Sequence, residues 1–534
     1  MKLSSNPTLQ KYLEKYPWII SALIILVATV LGVFLRLQYV QKSDFPLNDG
    51  GLFFTMTKEL VANQFRIPAF TSYNHLNIPF AYPPLSFYIA GFYSSFLHGD
   101  LLQFFRLYPL IINILSIPAY YFLVKELTDD QVTRYLAVFI YAISMPGYEW
   151  LIVGGGLTRS PAHTLFILSL TLYLVYLRNQ KRAYYFCAII LTGVMALHHA
   201  EYAWLYALTA TLFSFIKLKP FAAIKYLLGF FLAGMIITGP YWFAVISQHG
   251  LGPVLAGFSG GDFGVNDPVA RFILLSFSEE NLITFLNIMI VIGLFYLLYT
   301  RNYPLILWTV VIGLFDSRSA NRGLVLSVSI IAALGVTQII IPGIRKLADT
   351  RPNSRWKIRP EHLFLVFSVF YPFFIAYVYT NQDHSVLTAI SQNELDAMNW
   401  VSTHTSSDAA FAVVDRAGDW PLDYLGEWFP TLTNRTSIAT IQGTEWLPEK
   451  VFYGNIQNYR VFKKCIFFGP ACVEDWAVKN GQMYDYIFIS SKPCNITDLV
   501  CLTPFENFIA NDAKYSQVYA NNSVTIYAYQ PATP

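Results

Sequence analysis

Two aspartates, Asp44 and Asp49, stand in Asp44-Phe-Pro-Leu-Asn-Asp49-Gly-Gly-Leu-Phe-Phe, just past the first long apolar run. A carboxylate at the edge of such a run is partly desolvated, which suits it to take a proton from a hydroxyl. Placed before Gly50-Gly51, Asp49 could instead cap a helix over 52–64. Arginines come next. Arg159 sits in Gly154-Gly-Gly-Leu-Thr-Arg-Ser-Pro, where glycines permit close backbone approach, and Arg318 and Arg322 are four apart, on one helical face. Guanidinium binds phosphate with two parallel donors and never loses its charge. The competing reading is plain: arginines at span ends snorkel to headgroups, and Asp316 could pair with Arg318 or Arg322. A third group is His198-His199-Ala-Glu201, with Glu149 and His163 elsewhere in apolar surroundings. Ionisable residues at membrane depth are costly and mark functional positions. Adjacent histidines diverge on a helix, so substrate binding or a capped turn is favoured over a divalent metal, which stays open as an alternative. No clear DxD motif is present to hold a nucleotide sugar through a metal.

These residues are carried by apolar elements. The chain is 534 residues long, 55% hydrophobic and only 13% charged, where soluble domains carry about 25% charged residues. Its net charge of +3 gives no reason to expect a nucleic-acid partner. Trp18 to Val40 is too long for a signal-peptide core and is expected to be an uncleaved anchor. Ten further runs, near 102–124, 135–153, 161–177, 183–197, 202–216, 226–247, 282–299, 303–315, 323–341 and 361–380, make about eleven spans. The basic residues Lys2, Lys11, Lys15, Lys125, Arg134, Arg178, Lys181, Arg182, Lys217, Lys219, Arg301, Arg345, Lys346, Arg351, Arg355, Lys357 and Arg359 fall on one side only if 82–97 does not cross. That segment, opened by Pro83-Pro84, is therefore expected to be a juxtamembrane or re-entrant helix. The N-terminus is then cytoplasmic, and 41–101, 154–160, 198–201, 248–281, 316–322 and the tail lie outside.

The tail, 381–534, is expected to be a separate extracytoplasmic α/β domain after a transmembrane domain at 1–380. A helix is predicted near 393–404 and strands at Phe411–Asp415, Tyr486–Ser490 and Val524–Tyr529. Cys465, Cys472, Cys494 and Cys501 suit disulfides in an oxidising compartment, with three connectivities open and zinc as the alternative. Cys187, inside an apolar run, is expected to be packing. Asp419-Trp-Pro, Gly426-Glu-Trp-Phe-Pro430 and Gln442-Gly-Thr-Glu-Trp446 could stack sugars or be core aromatics beside capping acids. Asn434-Arg-Thr, Asn495-Ile-Thr and Asn521-Asn-Ser match the glycosylation pattern.

The long first span, the loop with Asp49, then Ala81-Tyr-Pro-Pro-Leu-Ser-Phe-Tyr and Arg106-Leu-Tyr-Pro resemble the N-terminal half of type C (GT-C) glycosyltransferases. The likeness is to dolichyl- or undecaprenyl-phosphate-sugar dependent mannosyl- and aminoarabinosyltransferases. Gly156-Leu-Thr-Arg159 and His199-Ala-Glu201 resemble elements of prokaryotic members, and the likeness runs over roughly 18–250. It implies a GT-C-like helical membrane fold. It also implies sugar transfer from a polyprenyl-phosphate carrier to a lipid, glycan or protein hydroxyl at the outer face, with Asp49 as base. Members often carry an Asp-Glu pair there; Asn48-Asp49-Gly50 lacks the second acid, unless Asp44 or another loop supplies it. Donor phosphate would fall to Arg159, Arg318 and Arg322, and substrate contacts to Asp44, Glu149, His163, His198, His199 and Glu201. No soluble cofactor is expected. The rival classes are a transporter or lipid flippase, and a non-catalytic glycan-binding membrane protein.

Overall fold

The computed structural model describes residues 17–259, 284–315, 320–349, 359–381, 387–491 and 502–530. Lys2, Lys11, Lys15, Asp316, Arg318, Arg351, Arg355, Lys357, Cys494, Asn495 and Cys501 lie outside them. The molecule is a polytopic α-helical membrane protein with a C-terminal α/β region. Its first part runs α1 (Pro17–Val40), α2 (Gly51–Ala62), α3 (Leu85–Phe96), α4 (Leu101–Leu127), α5 (Gln131–Ile143), α6 (Gly156–Asn179), α7 (Arg182–His198), α8 (Ala200–Lys217), α9 (Pro220–His249) and α10 (Gly252–Ser259). There follow α11 (Phe285–Tyr299), α12 (Pro304–Phe315), α13 (Ala320–Leu334), a π turn, α14 (Ile341–Asp349) and α15 (Pro360–Asn381). Among the described residues six helices are long and apolar enough to cross a membrane, and α5, α7, α11 and α12 are shorter apolar helices. Among the described residues every run expected to span falls at least in part on a helix.

Local chemistry sets the boundaries. Asp100 and Asp130 cap α4 and α5, accepting from Leu102 N and Thr133 N, each at 2.8 Å. The run expected at 135–153 stops early. Helix α5 ends at Ile143, before Pro146, and two short 3₁₀ turns at 145–147 and 149–151 carry the chain to the glycines at 154–156. The helix α3 begins directly after Pro84 and has twelve residues, too few to cross 30 Å of hydrocarbon at 1.5 Å each. Helices α6 and α13 are the buried centre, whereas α1 and α9 turn Leu23, Leu26, Val30, Leu232 and Ile236 outward, as lipid-facing helices do. Cys187 is exposed rather than packed. Arg36, fully buried in α1, is held at two of its three nitrogens: Nε donates to Asn113 Oδ1 at 2.6 Å and Nη1 to Ala142 O at 2.7 Å. It lies over the Tyr148 ring at 4.5 Å and ties α1 to α4 and α5.

A two-residue ribbon, β1 (Phe70–Thr71) with β2 (Ile78–Pro79), lies between α2 and α3. The C-terminal region contains α16 (Gln392–His404), β3 (Ala410–Val414), α17 (Tyr424–Thr433), β4 (Thr436–Ser437), α18 (Glu449–Cys465), α19 (Pro470–Asn480), β5 (Tyr486–Ser490), α20 (Thr503–Ala510), β6 (Tyr515–Ala520) and β7 (Val524–Tyr529). The sheet order is β4-β3-β5-β7-β6, with β3 parallel to β4 and β5 and the β7 pairs antiparallel. The predicted helix and three strands are present. Strands β4 and β6 were not predicted: β4 has two residues, and four of the six in β6 are exposed, so neither has an apolar signal. Cys465 and Cys472 form a disulfide.

Candidate active site

The loop that carries Asp49 is built by partners from across the chain. Leu47 bridges Ala389, Asn48 N donates to Thr388 O at 2.8 Å, and Gly154 N donates to Leu47 O at 2.8 Å. Both Asp49 oxygens are engaged from the glycine turn. Oδ1 accepts from Gly155 N at 2.9 Å, and Oδ2 is ion-paired with Arg159. The glycines are steric requirements. A Cβ on Gly154 would lie 2.0 Å from Asp49 O, and one on Gly155 2.5 Å from both the Asp49 carboxylate and the Arg159 guanidinium. Gly50 adopts φ 127°, a conformation glycine takes without strain. Asp49 does not cap its own helix; Gly50 is the N-cap of α2.

The second carboxylate comes from the C-terminal region. Glu427, in the first turn of α17, accepts from Gly50 N at 2.8 Å. Burial, and then the charge of Asp49, hold its carboxyl well above the usual carboxylate range. The same helix locks the loop elsewhere: Trp428 Nε1 donates to Asn48 O at 2.9 Å, Tyr73 Oη donates to Glu427 O at 2.7 Å, and Thr431 Oγ1 donates to Gly51 O at 2.8 Å. Gly426-Glu-Trp was singled out in the sequence as a sugar-stacking candidate, but Trp428 is wholly buried, and Trp420 and Trp446 nearly so. Their faces are core, packed on neighbours such as Phe45, Phe452 and Tyr82.

Behind Arg159 a belt of polar groups connects α6, α7, α8 and α13. Tyr82 Oη meets Thr158 Oγ1 at 3.3 Å, and its ring lies edge-on to His199 at 5.8 Å. His199 and Arg322 both approach Glu201, at 3.9 and 3.6 Å. Tyr202 sits against His163 and His199 and within electrostatic reach of Arg159 and Arg322. Thus Asp49, Arg159, His163, His199, Glu201 and Arg322 form one connected neighbourhood.

The remaining expected residues have other partners. Asp44 is exposed and pairs with Arg106 at 3.2 Å, so it does not replace the missing second acid. Glu149 is buried on a 3₁₀ turn past the end of α5, accepting from Tyr39 Oη at 3.0 Å. His198 turns away from His199, its Nδ1 2.7 Å from Ser86 Oγ. Among the described residues no cluster of three or more His, Cys, Asp or Glu could hold a metal ion. Glu427, Tyr82 and Tyr202 were missed. Glu427 is nearly four hundred residues from its partner and had no local signal, whereas Tyr82 and Tyr202 lie inside quoted or flanking motifs but look like ordinary interfacial aromatics.

No protein-family model and no curated protein sequence matches the chain. Solved structures do. The oligosaccharyltransferase of Archaeoglobus fulgidus, tethered with an acceptor peptide, aligns with TM-score 0.57 and 15% identity, over 90% of this chain and 70% of that one. ArnT from Cupriavidus metallidurans, bound to undecaprenyl phosphate, aligns with TM-score 0.50 and 12% identity, over 97% of this chain and 99% of that one. Mycobacterial arabinofuranosyltransferase AftD aligns with TM-score 0.54 and 12% identity, over 95% of this chain and 40% of that one. At such identities the likeness speaks for the fold, and in that fold this chain is a polytopic membrane protein built like the type C glycosyltransferases.

Proposed function

We propose that this chain is an inverting glycosyltransferase that moves a sugar from a polyprenyl-phosphate carrier to an acceptor hydroxyl on the outer face of the membrane. The observation that carries the reading is the meeting of Asp49 and Arg159, 110 positions apart, on a glycine cradle. Asp49 is the base and takes the acceptor proton. The acceptor oxygen bonds to the anomeric carbon as the bond from that carbon to the phosphate oxygen breaks, and the carrier leaves as a polyprenyl phosphate. Arg159 holds Asp49 through one terminal nitrogen, while its Nε has no hydrogen-bond partner among the described residues. That leaves a donor for the leaving phosphate, with Arg322 across Tyr202 and Arg318 further seats for its charge. His199 and Glu201 orient Arg322. His163 is assigned to substrate contact beside them, across the Tyr202 ring, whereas Asp44, Glu149 and His198 keep the separate partners described above and are given no part in the step. Inversion follows from a single base with no carboxylate nucleophile opposite. Glu427 is spent on backbone, which leaves it no such role. The donor brings its own activated leaving group, so no soluble cofactor is required.

The N-terminus is placed in the cytoplasm. Residues 1–380 form the transmembrane domain and 381–534 an extracytoplasmic domain over the site. The partners are membrane lipids, the lipid-linked sugar and a lipid, glycan or protein acceptor.

The test is Asp49→Asn in purified protein with a polyprenyl-phosphate sugar. Loss of a base costs about 10²–10⁴ in rate, and turnover at the wild-type level would remove the assignment. In proteoliposomes, movement of labelled solute without bond cleavage would favour a transporter instead.

A further inference from the structure

Tyr202 is a buried titratable side chain that no step above uses. It is 1% exposed, at the start of α8. Its ring is held edge-on by His163 at 5.6 Å, His199 at 5.7 Å and Phe166 at 6.4 Å, so its hydroxyl has a fixed direction. Around it stand Arg322, Glu201, Tyr141 and Arg159. Tyr141 is committed elsewhere, its hydroxyl 2.7 Å from Ser116 Oγ and 2.9 Å from His163 Nε2. Among the described residues the Tyr202 hydroxyl has no hydrogen-bond partner, and neither has Arg159 Nε or His163 Nδ1.

A buried hydroxyl without a partner is destabilising, and phenylalanine would fill the same space without that cost. The two guanidinium groups nearby are donors only, and the Glu201 carboxylate faces His199 and Arg322 instead. An anion with several oxygens would accept from the hydroxyl and both guanidinium groups at once. We propose that the Tyr202 hydroxyl is a ligand of the carrier phosphate, seated between Arg159 and Arg322. The assignment rests on the lipid-phosphate donor reading above and names a residue that reading leaves unused. It implies a trade-off: the hydroxyl weakens the empty protein and strengthens the loaded one.

The experiment measures binding without turnover. Wild type, Tyr202→Phe and the control Tyr206→Phe, one turn further along α8, are placed in nanodiscs and titrated with geranylgeranyl monophosphate and with geranylgeraniol. Each is also melted without ligand. Tyr202→Phe is expected to bind the phosphate about 10-fold more weakly, as for loss of a hydrogen bond to a charged group. It should bind the alcohol as wild type does and melt at the same or a higher temperature. Tyr206→Phe should keep wild-type affinity for both. Equal phosphate affinity in Tyr202→Phe and wild type would overturn the assignment and point to a hydroxyl served by water. Loss of the fold in Tyr202→Phe would overturn it too, by making the hydroxyl structural. If wild type itself does not prefer the phosphate to the alcohol, the donor reading falls, and Tyr202 with it.

Discussion

Each oxygen of Asp49 has one partner, and each partner supplies a different test. Gly155 offers a backbone N–H at the closest approach its missing side chain permits. Gly155→Ala should therefore push the carboxylate off Arg159, costing about 1–3 kcal/mol of stability through overpacking. Thermal unfolding checks this, and turnover should fall at least as far as in Arg159→Lys. Lysine keeps the charge of Arg159 but loses the fork that can hold a carboxylate and a phosphate together. A turnover drop on the order of tenfold or more is expected for Arg159→Lys. The Glu427 carboxyl belongs to a different kind of prediction. Its folded value is raised, so its contribution to stability is complete below the unfolded value and is lost as pH rises through the folded one. The contact between α17 and the Asp49 loop should loosen as pH rises from the ordinary carboxylate range through that raised value. Melting curves across that range should show the loss in wild type and flatten in Glu427→Gln.

At the level of elements, α2 and α17 are one unit although one follows the first long helix and the other lies deep in the C-terminal region. Trp428 fills the joint, packing on Phe45 at 4.7 Å and Phe54 at 5.8 Å while its indole nitrogen donates to Asn48. Trp428→Ala should cost about 3–5 kcal/mol, read by thermal unfolding. The effect should spread to Asp49 chemistry, since the loop loses its support. Much of this layout was legible beforehand. Apolar runs located the helices, Pro83-Pro84 and the distribution of basic residues singled out the short α3, and glycines before Arg159 announced close approach. The joint was not legible. Its hydrogen bonds run to backbone atoms, which have no sequence signature, and Glu427 in Gly-Glu-Trp-Phe-Pro looks like a capping acid of its own helix. The end of α5 was misread for a related reason: the run to residue 153 is apolar apart from Ser144 and Glu149, and Pro146 is its one strong helix breaker.

For the whole molecule, the reading requires that the loop at 41–50 and the C-terminal region share one side of the membrane, because hydrogen bonds join them. Asp44→Cys and His404→Cys, both at exposed positions, should react with an impermeant maleimide added to intact cells. Arg301→Cys, expected on the other side, should react only after lysis. Cytosolic labelling at position 44 would invert the placement on which base and carrier depend. One consequence concerns biogenesis. Gly50 waits for Glu427, 377 positions further on, before its amide is satisfied. During synthesis the early helices enter the bilayer with their acidic loop unsupported. The reactive geometry comes into being only when the last third of the polypeptide has been translocated and has folded back over it. On the proposed function, a chain stalled midway would meet carrier lipids without being able to act on them, and completion of translation would itself guard against stray sugar transfer.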